Sequence, residues 1–134
     1  MGLKESQLKS LKDIFKLYNN IKAAYLFGSY AQDKERKNSD IDIGILLDKG
    51  YDKMIKVDIL AKLAEYGYCE VDLVILNQAD IVTRYEIVKH NKIIYKREDF
   101  DANTYFSFSI RTFLDFEPIL KVQRKYLKEQ ILNG

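Results

Sequence analysis

Asp40 and Asp42, with a Gly28-Ser29 pair upstream of them, are the side chains of this 134-residue chain best suited to chemistry. Ser39-Asp40-Ile41-Asp42 leads into an apolar run that continues to Leu47. Two carboxylates at i and i+2 on a strand project to the same side, roughly 6–7 Å apart along the backbone. Such a pair can converge on two divalent cations, which stand roughly 3.5–4 Å apart in two-metal phosphoryl-transfer sites. Gly28-Ser29 ends an earlier apolar run, Ala23 to Phe27. A Gly-Ser turn there brings backbone N–H groups and a hydroxyl to where phosphates would lie. Taken singly, Asp-x-Asp is a solvated strand end and Gly-Ser a common turn. Together they suit a nucleoside triphosphate carried with magnesium.

A site of this type needs a third acid from a neighbouring strand. Val71-Asp72-Leu73 supplies one inside an otherwise apolar run, where a charge is costly unless something compensates it. The structural alternative is a water-exposed residue at a strand start, with Glu70 beside it.

The elements that must position these groups follow from hydrophobic periodicity. Leu8, Leu11, Ile14, Phe15 and Tyr18 recur at helical spacing and predict a helix over 4–19, broken by Asn19-Asn20. Residues 22–27 form a short strand. A second strand, 41–47, has Ile41, Ile43 and Ile45 facing the core and Asp40, Asp42 and Gly44 facing an open side. Gly44 is expected to leave that side bare next to the metals. A helix over 52–66 ends at Gly67, a strand covers 71–76, a helix 79–90 and a short strand 92–96. From about residue 103 the pattern is helical to 132, and Pro118 is expected to kink that helix or split it. The order predicts an α/β (α+β) two-layer fold: one domain over 1–134, with a mixed sheet and a C-terminal helical tail.

Composition narrows the function. A net charge of +2 gives no argument for nucleic acid as a direct partner. One cysteine, Cys69, excludes an internal disulfide and is expected to be a half-buried structural thiol. No apolar leader and no run long enough to span a bilayer is present, so a cytoplasmic protein without membrane attachment is expected. Ten tyrosines and seven phenylalanines crowd toward the tail, among them Tyr105, Phe106, Phe108, Phe113, Phe116 and Tyr126. Either they line the core or some form an exposed patch for a partner.

Gly-Ser, nine residues, then Ser-Asp-Ile-Asp resembles the signature of the nucleotidyltransferase superfamily related to DNA polymerase beta. Within it the chain resembles the minimal nucleotidyltransferases of the MntA antitoxin type. Arg84 to Tyr95 is similar to that family's helix and following strand, and Arg111 to Leu120 to its aromatic, proline-interrupted tail. The resemblance implies that Asp40 and Asp42 hold two magnesium ions. It implies that Asp72 shares one of them and assists deprotonation of the acceptor, and that Gly28, Ser29 and Ser39 help bind ATP. It also implies a partner, a small helical HEPN ribonuclease toxin neutralised by transfer of AMP to a tyrosine. Gln32 and Asp33 depart from the basic residue and glycine that many relatives carry after Gly-Ser-x-Ala, which removes a possible phosphate contact. Lys34, Arg36 and Lys37 either restore that charge or form a solvated loop. Arg84 and His90 also fit the loose Arg-x5-His spacing of HEPN ribonucleases, but such domains are wholly helical. Arg84 is therefore expected at the surface, with a phosphate contact as the alternative, and His90 at a helix C-terminus favoured by the dipole. Three functions remain: adenylylation of a toxin, nucleotidyl transfer to a small molecule such as an aminoglycoside, and neutralisation by contact alone.

Overall fold

The computed structural model describes residues 3–32 and 40–133. Helix α1 (Glu5–Lys16) leads into β1 (Ile21–Phe27), a single helical turn α2 (Gly28–Ala31), and β2 (Ile41–Leu47). Then come α3 (Ile55–Glu65), β3 (Val71–Ile75), a 3-10 turn (Leu76–Gln78), α4 (Ile81–Val88), β4 (Ile93–Lys96) and α5 (Ala102–Asn133). The strands form one mixed sheet in the order β3-β2-β1-β4, with β2 parallel to β3 and β1 antiparallel to both neighbours.

Alternation along the strands sends side chains to two separate cores. Ile41, Ile43, Ile45 and Leu47 join Leu11, Ile14 and Phe15 of α1 and Ile55, Ile59 and Leu63 of α3 on one face. Each such buried side chain contributes about 1.5–3 kcal/mol. Ala23 and Tyr25 of β1 face the other way, onto Ile87 and Val88 of α4, with Tyr105 and Phe106 of α5 against them. Helices thus cover both faces and the domain has three layers, where periodicity suggested two. The central strands are apolar on both sides, which hides the second layer from a pattern count.

Gly44 is a correction. It is buried rather than open, because α4 lies over it: a Cβ there would stand 2.9 Å from Ile87 Cγ2 and 3.4 Å from Leu76 Cγ. Glycine lets α4 approach the sheet and leaves no room for a ligand at that position. Toward half-buried Asp42 and exposed Asp72, no helix among the described residues lies over this face.

Two further expectations change. Cys69 is exposed, in the turn between α3 and β3. Pro118 does not split α5, which runs unbroken through it. The carbonyl that loses its donor belongs to Leu114, which is 57% exposed and accessible to water. The tail aromatics divide. Tyr105 and Phe106 pack on the second core and Phe113 stacks on Tyr85 with ring centroids 3.8 Å apart, whereas Phe108 and Tyr126 are exposed. Among the described residues no helix is long and apolar enough to cross a membrane.

At the end of the sheet away from Asp42, Arg97 ties three loops together. Its guanidinium donates to both Asp48 oxygens at 2.8 Å, to Asp99 and to the Asn19 carbonyl. The α4 N-terminus is capped by Asp80, which accepts from Thr83 N–H at 2.7 Å.

Replacing Gly44 with alanine should overfill the α4–sheet contact and cost about 1–3 kcal/mol in chemical denaturation. In the Gly44→Ala, Ile87→Ala double variant the loss should fall short of the sum of the two single losses, since each relieves the other.

Candidate active site

The uncovered end of the second face is where β1 stops and β2 and β3 begin. Asp42 is paired with Phe27 on one side and with Asp72 on the other. In a parallel pair, facing residues point the same way, so Asp42 and Asp72 stand side by side. Asp40 lies immediately before β2 and is exposed, on the same side as Asp42 by alternation.

Gly28 closes the third side. Its φ is +71°, a left-handed conformation that favours glycine, and a Cβ there would collide with the Asp42 carboxylate, 2.9 Å from its Cγ. Chain reversal and close approach thus require glycine at the same position. Ser29 follows in α2, half-buried on the turn that carries the chain away from Asp42. Ser39 lies outside the described residues, as do Asp33, Lys34, Arg36 and Lys37. Gln32 is exposed and closes the turn through its N–H on the Ser29 carbonyl, 3.2 Å away.

The electrostatics are those of crowded acids. Burial pushes the Asp42 carboxyl above its ordinary value, and the charges of Asp72 and then Asp40, with a hydrogen bond shared with Asp72, push the same way. Among the described residues no cation counters them, and no three His, Cys, Asp or Glu side chains are gathered closely enough to hold a metal ion. Oxygen donors alone, with mutual repulsion that a divalent cation would relieve, suit a hard cation such as magnesium.

Other candidates drop out. Arg84 is half-buried rather than fully at the surface: its guanidinium lies 5.1 Å from the Phe108 ring centroid, and its Nε is buried without a hydrogen-bond partner among the described residues. The hydroxyls of Tyr25, Tyr105 and Ser109 are also buried there without partners. Burial pushes the Tyr105 phenol up to about 12 and Tyr25 higher still, so neither serves as a base at neutral pH. His90 sits just past the cap of α4. What periodicity missed is the helical turn at Gly28 and its contact with Asp42; the Gly-Ser pair was the only signal for it.

The comparisons with known proteins agree with this fold. A family model described as "Polymerase beta, Nucleotidyltransferase" matches residues 9–100. The chain is 30% identical over 129 residues to Protein adenylyltransferase MntA of Shewanella oneidensis, covering 94% of this chain and 89% of that protein. A Methanocaldococcus jannaschii protein is 34% identical over 73 residues, 54% of each. Among solved structures, one described as a toxin-antitoxin with AMP-PNP aligns at a TM-score of 0.71 with 26% identity, over 97% of this chain and 99% of that one. Another, of a tri-AMPylated Shewanella oneidensis HEPN toxin in complex with MNT antitoxin, aligns at 0.70 with 21% identity over 97% and 99%. At that identity it speaks for the fold alone.

Two outcomes test the site. For Asp42 the folded state holds a proton more tightly than the unfolded chain, so its contribution to stability is lost as pH rises through that window. Asp42→Asn should therefore raise the melting temperature at neutral pH without divalent cations, and the gain should shrink as pH falls into the ordinary carboxylate range. Gly28→Ala should cost about 1–3 kcal/mol by denaturant unfolding, from its left-handed backbone and its collision with Asp42.

Proposed function

The chain belongs to the polymerase beta nucleotidyltransferase family, and from that premise we propose that it transfers AMP from ATP to a tyrosine of a partner HEPN toxin and so neutralises it. One observation carries the reading: Asp42 and Asp72 stand paired on adjacent strands beside Gly28, beyond the part of the face that α4 covers.

In this mechanism the acceptor hydroxyl lies beside Asp72, which takes its proton as the oxygen attacks the α-phosphorus of ATP. The new P–O bond joins AMP to the acceptor, the bond between the α-phosphorus and its bridging oxygen breaks, and pyrophosphate leaves. Gly28 and Ser29 bind the terminal phosphates through backbone N–H groups and a hydroxyl, and Ser39 assists. Asp40, Asp42 and Asp72 would hold two magnesium ions, which would neutralise the triphosphate and stabilise the charge that develops on it.

A protein acceptor is favoured over a small molecule by α5. Beyond Phe116 nearly all of its side chains are exposed, and Ile119, Val122, Tyr126 and Leu127 form an apolar stripe at helical spacing opposite Lys121, Arg124, Lys125 and Lys128. An isolated amphipathic segment of that length is marginal in water, and a partner surface would stabilise it. A catalytically weak antitoxin acting by contact uses the same surface but needs none of the three aspartates.

The deciding experiment is incubation with ATP, magnesium and the product of the neighbouring gene, read by intact mass. A gain of one or more AMP units on that product, absent with Asp42→Asn, is expected. A stable complex with no gain would establish neutralisation by contact instead.

A further inference from the structure

Four polar groups meet inside the second core, and none has a hydrogen-bond partner among the described residues. Tyr25 of β1 and Ser109 of α5 are fully buried with unpaired hydroxyls, and the Tyr105 hydroxyl and Arg84 Nε–H are buried and unpaired beside them. Tyr105 is the hub. Its ring centroid lies 6.1 Å from that of Tyr25. Burial raises its phenol, while the Arg84 charge and neighbouring Ser109 pull it down. A helix hydroxyl commonly finds an outlet on the carbonyl four residues back, as Thr112 does on Phe108 at 2.6 Å. Ser109 does not.

The surroundings are apolar, with Ala23, Leu76, Ile87 and Val88 closing the core around this cluster. Phenylalanine and alanine would fill the same space without a polar atom. Buried hydroxyls are therefore a cost here unless something answers them.

We propose that the second core holds ordered water at this junction of β1, α4 and α5, an internal hydration site that seats α5 on the sheet. The inventory of donors and acceptors fits. A buried water makes about three hydrogen bonds, and four at most. Arg84 Nε–H can only donate, whereas each hydroxyl both donates and accepts. A water that accepts from Arg84 and one hydroxyl, and donates to the other two, satisfies the whole cluster. Arg84 itself calls for no buried anion. It is half-buried, its guanidinium lies over the exposed Phe108 ring, and an ion would have to shed its hydration to enter. Tyr25 is paired with Gly44, and two residues on Phe27 is paired with Asp42. The water thus ties the helix that carries the exposed tail to the strand that ends at Gly28.

Neither ATP nor a partner is needed to test this. Thermal melts of Tyr25→Phe and Ser109→Ala in the full chain read the sign of each hydroxyl's contribution. Bridged by water, each hydroxyl stabilises the fold, and either variant should lower Tm by roughly 3–6 °C. In a dry core the same change removes an orphaned polar group, and Tm rises. Magnetic relaxation dispersion of the solvent counts long-lived internal waters, and the Tyr25→Phe, Ser109→Ala double variant should hold at least one fewer than the unaltered chain. A Tm that stays or rises in either single variant, or an unaltered count in the double variant, overturns the site. Where a variant fails to fold, a high-resolution crystal structure of the unaltered chain decides. Density within hydrogen-bond distance of the Tyr105 and Ser109 hydroxyls supports the water, and its absence overturns it. A Tm of the unaltered chain that climbs with chloride at fixed ionic strength, but not in the double variant, assigns an anion and likewise overturns it.

Discussion

Holding Asp42 beside Asp72, with Asp40 in reach, is unfavourable in the absence of a cation, and the structure is arranged around that cost. Burial and two neighbouring negative charges raise the Asp42 carboxyl together, with no cation among the described residues to oppose them. A carboxylate pair of this kind persists only if the backbone beneath it is rigid enough to deny the side chains an escape. The parallel β2–β3 ladder supplies that rigidity, since Asp42 and Asp72 are in register and neither can move without breaking strand pairing.

The rest of the fold supports this register. On one face Ile41, Ile43 and Ile45 alternate with the acid and pin β2 to α1 and α3. On the other, Gly44 lets Ile87 settle onto the strand two residues from Asp42, so the sheet is clamped from both sides just short of the acids. Gly28 then turns the chain away so closely that no other residue fits against the Asp42 carboxylate. At the far end, the bidentate Arg97–Asp48 pair joins the loops flanking β1, β2 and β4. That pair is partly exposed, and its value lies in geometry more than in net energy.

Much of this was legible from residue order. Period-two alternation in 41–47 placed the isoleucines inward and the acids outward, and Val71 to Ile75 read as a strand carrying an acid because an apolar run tolerates such a charge only with a reason. Helix positions followed from 3.6-residue spacing, with ends displaced by a few residues: periodicity carried the first helix to 19, while α1 stops at Lys16. The misreadings share a cause. Gly44 was taken for open space, Pro118 for a possible break, Arg84 for a surface residue and Cys69 for a half-buried one. Each depends on what lies over that residue in space, which local pattern does not encode.

By itself the sequence determined which residues alternate, which could carry charge and how far apart along the chain they lie, because these depend on one strand or one helix at a time. Only the tertiary structure decided that Asp72 registers on Asp42, that Gly28 abuts the same carboxylate, that α4 covers Gly44, and that β3 rather than β4 is the edge strand next to the acids. Those relations arise between segments 14 to 43 residues apart. Strand order and register are set by burying both faces of one sheet at once, a condition on the whole chain that no window of it contains.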